Sequence, residues 1–258
     1  MTYAHNAHNI DRDAIPTVNI LGVDIAAINM DWLLKFTEDN ITDLSGDYIC
    51  VSNVHTTVMS YEDEEYREIQ NSGVLAIPDG GPLSTEGRKR GAKSMSRTTG
   101  PNYMGEVLKR SASYGWKHYF YGSTQETLDK LRIELEKDYP DIQIVGMYSP
   151  PFRPMSAEED DEIVSAINTA SPDFLWIGLG APKQEKWMSE HQGKVKGLMV
   201  GVGAAFDYYA RNIKRAPEWM QRCNLEWFYR LIQDPKRLFK RYFMTNSKFI
   251  WNAVVRGK

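Results

Sequence analysis

Five short apolar runs rich in β-forming residues constrain the fold most, because each is followed at once by a loop of small or polar residues. The runs are Tyr48-Ile-Cys-Val, Val74-Leu-Ala-Ile, His118-Tyr-Phe, Phe174-Leu-Trp-Ile and Leu198-Met-Val. Runs of this length and composition, bounded by turn residues, are typical of buried strands. Each therefore predicts a strand that ends in a loop of unusual chemistry.

Segments with helical periodicity lie between these strands. The clearest are Thr124 to Tyr139 and Ser156 to Thr169, and the second opens with Ser156 and Glu159 at capping-box spacing. Asp141 to Tyr148 is a further extended run, and the proline-rich SPPFRP after it predicts a loop. The alternation predicts an α/β fold with a mostly parallel, Rossmann-like sheet flanked by helices. Because ligands bind outside the carboxyl ends of such strands, we expect the five loops to converge.

The last part of the chain differs from the rest in charge. Residues 211–258 contain twelve Lys/Arg and three Asp/Glu, a net charge of +9, whereas residues 1–210 contain 19 and 31, a net charge of −12. From Ala216 onward the pattern is helical and aromatic, with Pro217 suited to a helix start and Pro235 interrupting the run. We predict a core spanning 1–215 and a basic, aromatic helical appendage spanning 216–258. The charge indicates an anionic partner for the appendage: a lipid headgroup, a diphosphate or nucleic acid.

Composition narrows the class of protein. With 42% hydrophobic and 25% charged residues the chain resembles a soluble globular protein, and no apolar run approaches the roughly 20 residues of a membrane-spanning helix. The polar first residues lack a signal-peptide pattern, so we expect a cytoplasmic protein. Cys50 and Cys223 predict two buried thiols, with neither a disulfide nor a zinc site. Asp11-Arg12-Asp13 has the form DxD but lies away from any predicted strand end, so no obligatory metal or other cofactor is predicted.

Asp79 is the carboxylate that the sequence singles out for catalysis. It follows a predicted strand in Pro78-Asp79-Gly80-Gly81, where glycine allows a substrate to approach the backbone. A carboxylate within hydrogen-bond reach can take the proton of an acceptor hydroxyl as that oxygen attacks. The alternative is an Asp-Gly turn without a chemical role.

Other loops offer groups that can bind sugar or phosphate. Asn53, His55 and Thr56 lie in SNVHTT, although a capped helix start explains the hydroxyls equally well and a structural hydrogen bond explains His55. Arg97 can offset a diphosphate charge, or form a surface ion pair. Gln184 and Glu185 can contact the donor, or occupy the exposed first turn of a helix.

Two glycine loops follow predicted strands, GLGAPKQE and GVGAAFD, and their amides can face a phosphate. Neither completes GxGxxG, because Lys183 and Phe206 stand at the third position, so a dinucleotide fingerprint is absent. Asp207 can bind ribose hydroxyls or cap a turn. The predicted nucleotide-binding positions are Tyr121, Gly122, Ser123, Gly178, Gly180, Gly201, Gly203, Phe206 and Asp207.

Cations recur at helical spacing among aromatic residues in the tail. The pattern is typical of a helix on a membrane surface, with cations at anionic headgroups or a lipid diphosphate. An ordinary helix that packs its aromatic face on the core is the alternative. The predicted acceptor-diphosphate and membrane contacts are Arg215, Arg230, Arg237, Lys240 and Arg241.

With these residues identified, the chain strongly resembles the WecG/TagA/CpsF glycosyltransferases, bacterial enzymes of cell-surface polysaccharide synthesis. The likeness runs from about Asn19 to the tail. Its most specific motifs are PDGGP at 78–82, GAPKQEKW at 180–187, GVGAAFD at 201–207 and RAPEWMQRCNLEWFYRLIQDPKR at 215–237.

The resemblance implies an inverting transfer from a UDP-sugar to a lipid-diphosphate-linked glycan at the inner face of the membrane, with Asp79 as general base. It also implies donor-sugar or acceptor contacts from Asn53, Arg97 and Gln184, and cations brought over the active site by Arg230, Arg237 and Lys240. Closure of this appendage would exclude water and limit hydrolysis of the donor. Homo-oligomerisation stays open, and no nucleic-acid partner is expected.

The sequence departs from the family pattern near the expected sugar sites. It has VSNVH where members often have TxNxE, PDGGPLS for PDGxGVV, and Asn102 in place of the acid of RxTGxD. The donor is therefore left open between a hexose and a uronic acid, and N-acetylmannosamine is not assigned. The alternatives are a nucleotide-dependent oxidoreductase or methyltransferase, disfavoured by the incomplete GxGxxG, and an RNA-binding module, for which no accompanying motif is present.

Overall fold

The computed structural model describes residues 10–257, apart from the side chain of Arg237. Within that range eight strands form one sheet in the order β1-β2-β4-β3-β8-β7-β5-β6, and only the β1–β2 pair is antiparallel. The strands are β1 Thr17–Ile20, β2 Val23–Ala26, β3 Tyr48–Ser52, β4 Leu75–Pro78, β5 Lys117–Gly122, β6 Gln143–Tyr148, β7 Phe174–Gly178 and β8 Leu198–Gly201. The predicted α/β class with a mostly parallel sheet is confirmed.

Helices cover both faces of the sheet, since residues of β3 alternate between two separate apolar clusters. Ile49 and Val51 join one cluster with α1, α5 and α6, whereas Tyr48 and Cys50 join the other with α2, α4, α7 and α8. The helices are α1 Met30–Asn40, α2 Val54–Glu62, α3 Glu64–Ser72, α4 Gly81–Lys89, α5 Gly100–Tyr114, α6 Gln125–Asp138, α7 Ala157–Ala170, α8 Lys183–Glu190, α9 Ala205–Tyr209, α10 Glu218–Arg222, α11 Glu226–Gln233 and α12 Pro235–Phe249. A 3₁₀ turn spans Arg12–Ala14, and a π-helical turn spans Ile250–Val255.

The predicted elements are present, with additions. All five apolar runs lie in strands, the extended run after Asp141 forms β6, and Ser156 and Glu159 make the predicted capping box of α7. The β1–β2 hairpin was not predicted. Its two-residue turn places both Leu21 and Gly22 at positive φ, and leucine is not a residue that signals such a turn.

The helices after the last strand pack back on the core. Helix α12 runs alongside α2, where Lys248 pairs with Glu62, and Arg90 Nη2 donates to the carbonyl of Ala253 at 2.9 Å. None of the described helices combines the length and hydropathy needed to cross a membrane. Cys50 is buried as expected, but the prediction that Cys223 is buried is wrong, because it lies at the exposed end of α10.

Candidate functional site

The loops after β3, β4, β5, β7 and β8 lie along one edge of the sheet, as expected. The strand ends are level, since Ser52 pairs with Pro78 and Gly122 pairs with Gly178. From β3 the chain continues to β4, which is the neighbour of β3 on one side. The neighbour of β3 on the other side is β8, which the chain reaches from β7. This is a topological switch point, the place where open α/β sheets bind ligands.

Asp79 lies beside this switch point, immediately after β4, the strand next to β3. Its amide donates to the carbonyl of Ser52 at 2.8 Å, and its own carbonyl accepts Arg97 Nε at 2.9 Å, so both neighbouring loops fix its backbone. The residue is partly exposed. A Cβ on Gly80 would lie 3.8 Å from Asn53 Cα, and a Cβ on Gly81 would lie 2.6 Å from the Asn224 side chain. A contact of 3.8 Å is ordinary, so it is Gly81 that allows the tail to approach the Asp79 loop closely.

Charged groups of the core and the tail act together on Asp79. Burial raises the pKa of its carboxyl group, Arg97, Arg230 and Arg215 oppose this rise, and the carboxylate of Glu226 adds to it. A base with a raised pKa holds a proton more strongly, while the nearby cations favour its ionised form. The arrangement suits a carboxylate that accepts a proton beside an anionic substrate.

Tyr208, in α9, connects the Asp79 loop with the second glycine loop. The guanidinium groups of Arg215 and Arg230 each lie 5.8 Å from the centroid of its ring. Burial raises the pKa of the Tyr208 hydroxyl to about 12, and Asp79 is among the charges that act on it. Tyr208 and Asp79 are therefore both close to Arg215 and Arg230, which brings the segment after the 201–207 turn near the Asp79 loop.

The loop that contains Asn53 begins α2 with a full capping box. Asn53 Oδ1 accepts the amides of His55 at 3.0 Å and Thr56 at 3.3 Å, and Thr56 Oγ1 accepts the amide of Asn53 at 2.9 Å. The helix-capping interpretation of the Thr56 hydroxyl is confirmed. Contacts of Asn53 and Thr56 with substrate stay predictions.

His55, near the start of α2, and Arg241, on α12, lie close to each other where the two helices run side by side. His55 Nδ1 and Arg241 Nε are both buried, and neither has a hydrogen-bond partner among the described residues. Burial, and then the positive charge of Arg241, lower the pKa of His55. The imidazole is thereby held neutral next to a cation of the tail.

Gln184 ties the two glycine loops together. Its Oε1 accepts the amide of Gly180 at 3.1 Å, and its Nε2 donates to the carbonyl of Gly201 at 3.0 Å and to Glu185 Oε1 at 2.8 Å. Glu185 is fully buried, and burial raises its pKa. The interpretation of this pair as an exposed helix turn is wrong. Contact of either residue with the donor stays a prediction. The hydrogen bonds of Gln184 already hold the two glycine loops together.

The predicted nucleotide-binding positions fall into two groups: residues whose side chains are buried in the core, and residues that form the loop ends. The ring of Tyr121 stacks on Trp187 at 4.5 Å, and the ring of Phe206 meets Phe120 edge to face at 5.6 Å. Because both rings are buried, these two positions face the crevice only through backbone. The glycines at 122, 178, 180, 201 and 203 and Ser123 form the loop ends themselves, and Asp207 accepts Asn212 Nδ2 at 3.2 Å, as a turn cap does.

The predicted cations of the tail fall in different places. Arg215 and Arg230 lie in the crevice beside Tyr208, and Arg241 lies beside His55. Lys240 is exposed. The side chain of Arg237 lies outside the part of the chain that the structure describes.

Glu226, at the start of α11, was missed by the sequence analysis. Its carboxylate binds Arg97 Nη2 at 2.5 Å and Arg215 Nε at 3.1 Å, and these ion pairs hold its pKa below the ordinary value against the opposing effect of burial. The only available signal was its presence as one of three acidic residues in the strongly basic tail.

Comparison with known proteins supplies the family. Residues 18–258 match the family described as glycosyl transferase WecG/TagA/CpsF. The chain is 28% identical over 223 residues to an N-acetylglucosaminyldiphosphoundecaprenol N-acetyl-β-D-mannosaminyltransferase of Bacillus subtilis (strain 168), covering 86% of this chain and 85% of the relative. It is 26% identical over 231 residues to the protein of the same name from Staphylococcus aureus (strain MW2), covering 88% and 89%.

Proposed function

The chain belongs to the WecG/TagA/CpsF family of glycosyltransferases, and from this premise we propose that it moves a sugar from a UDP-sugar to a glycan carried on a polyprenyl diphosphate. The names of the relatives specify an acceptor of this kind, an N-acetylglucosamine on diphosphoundecaprenol. The donor sugar is not carried over, because the loops that depart from the family pattern adjoin the proposed sugar site.

The observation that carries the proposal is the position of Asp79 beside the switch point, close to the charges of three arginines. In the proposed reaction the acceptor hydroxyl oxygen attacks the anomeric carbon as Asp79 takes its proton. The bond from that carbon to the UDP oxygen breaks, UDP leaves with the electron pair, and the configuration inverts. Charge–charge attraction from Arg215 and Arg230 favours the diphosphate groups of donor or acceptor in this crevice.

The tail is proposed to act as an appendage, from about residue 216, that docks on the inner face of the cytoplasmic membrane. Its exposed apolar side chains include Phe239, Phe243 and Trp251, with exposed fractions of 62%, 67% and 60%. Lys236 and Lys240 are exposed on the same helix as the two phenylalanines. Exposed aromatic rings beside cations are typical of helices that lie in a membrane interface.

The proposal is tested by UDP release from a panel of UDP-sugars with polyprenyl-diphosphate glycans as acceptors. Asp79→Asn is expected to lower kcat by about 10²–10⁴, the usual contribution of a general base, while UDP affinity is retained. Asp31→Asn, at an exposed carboxylate of α1, is the matched control and should leave kcat unchanged. Unchanged turnover by Asp79→Asn would remove the residue from the base role. Tight binding of NAD or RNA without any response to UDP would contradict the transferase itself.

A further inference from the structure

Glu226 lies at the junction of three parts of the molecule. Both of its oxygens are engaged, one by Arg97 from the loop before α5 and one by Arg215 from the segment before α10. Glu226 as a whole is 7% exposed. A buried carboxylate between two guanidinium groups is costly to disturb, because removing it leaves both cations without the negative charge that offsets theirs.

Arg97 extends this junction to the proposed base. It donates Nε to the carbonyl of Asp79, Nη1 to the carbonyl of Gln221 at 3.2 Å and Nη2 to Glu226. A guanidinium has five N–H groups, and three are therefore used within the protein. Arg97 thus joins the backbone of Asp79 to α10 and α11 in one set of hydrogen bonds.

Arg215 connects the Glu226 junction to the start of α5 and to α9. Its Nε binds Glu226, its Nη2 lies 3.4 Å from the Thr99 hydroxyl that caps α5, and its guanidinium lies over Tyr208. Two of the arginines that the sequence suggests for phosphate binding, Arg97 and Arg215, are thus oriented by the same carboxylate. Without it, the positive charges of Arg97 and Arg215 would act on Asp79 with no paired carboxylate to offset them.

We propose that Glu226 is a positioning residue, which docks the tail helices onto the loop of Asp79 through Arg97 and Arg215 and sets the charge around that carboxylate. The kinetic part of this inference rests on the proposed function, whereas the docking part does not. The charged groups that act on the protonation of Asp79 are Arg97, Arg215, Arg230 and Glu226, and the Tyr208 hydroxyl is electrostatically coupled to it as well. Because the negative charge of Glu226 raises the pKa of Asp79, its removal is expected to lower that pKa.

Docking is measured by amide hydrogen exchange on the intact protein without substrates. Glu226→Gln, which keeps the shape and removes the charge, is expected to speed exchange in residues 78–81 and 226–233 by at least about tenfold, while β3 and β7 exchange as in the wild type. The matched control is Glu218→Gln, since Glu218 is exposed and pairs only with exposed Arg222 at 3.3 Å among its described contacts. Exchange in Glu226→Gln equal to that of the control would overturn the proposal, and so would an equal acceleration in the sheet.

The kinetic test compares pH profiles of kcat/KM for the wild type, Glu226→Gln and Glu226→Asp. The acidic limb should move to lower pH in Glu226→Gln and stay near the wild-type position in Glu226→Asp, which keeps the charge. If the acidic limb of Glu226→Gln stays at the wild-type pH, the proposed effect of Glu226 on the protonation of Asp79 is refuted. Absence of transfer by the wild type with every donor would refute the proposed function alone, because exchange is read without turnover.

Discussion

Replacing the exposed rings of α12 should detach the protein from membranes without unfolding it. Phe239 and Phe243 lie one helical turn apart and expose 62% and 67% of their surfaces. Serine at both positions removes the apolar surface that the proposed membrane contact would bury. The folded core should tolerate the change, because neither ring contributes to the two buried clusters.

The expected magnitude follows from the exposed area. A phenylalanine offers about 200 Å² of surface, so each ring has roughly 120–130 Å² available, worth about 3 kcal/mol if fully buried in hydrocarbon. Rings in the headgroup region are only partly buried, and half of that value gives about 3 kcal/mol for the pair, or about 10²-fold in vesicle partitioning. Lys236 and Lys240 should each add about 1 kcal/mol on anionic lipid, a contribution that salt screens.

The assay is co-sedimentation of the intact protein with vesicles that contain anionic lipid, at low and high salt. Phe239→Ser/Phe243→Ser should bind about 10²-fold more weakly than the wild type at both salt concentrations. The control is Ile133→Ser on α6, which is 64% exposed and lies on the opposite face of the sheet. Equal binding by the double variant and the wild type would refute the assignment of this face to the membrane.

Two further predictions concern the stability of the fold. Gly122→Ala should cost at least about 2 kcal/mol more than Gly91→Ala in urea unfolding. Both glycines have positive φ, but a Cβ at 122 would lie 2.7 Å from the backbone of Gly178, whereas nothing lies within 4 Å at Gly91, and equal costs would contradict this packing. Burial lowers the pKa of His118 to about 3, so the folded state stays neutral while the unfolded state gains a proton below about pH 6.5. Its contribution to stability is fully present well above that pH and should fall by about 2 kcal/mol between pH 8 and 5, a loss that His118→Gln should lack.

Local patterns in the sequence were sufficient for the core of the fold. The β3 run is buried along its whole length, which is why it appears as continuous apolar residues and not as an alternation. Ser156 and Glu159 form their capping box within one helical turn, so their spacing alone predicted it. Asp79 was identified because a carboxylate followed by two glycines at a strand end is also a local signal.

Tertiary structure decided what those residues contact. Gln184 and Glu185 have the polarity of an exposed helix turn, yet both are buried, and Gln184 donates to the carbonyl of Gly201, which comes from the next strand, and to Glu185. Glu226 and Arg97 are separated by 129 residues, and no pattern within either segment reports that they pair. Helices and strands form from residues that are neighbours in the chain, so the sequence determines them. The charged side chains near Asp79 come from distant segments, and only the folded sheet and the tail that packs on it bring them together.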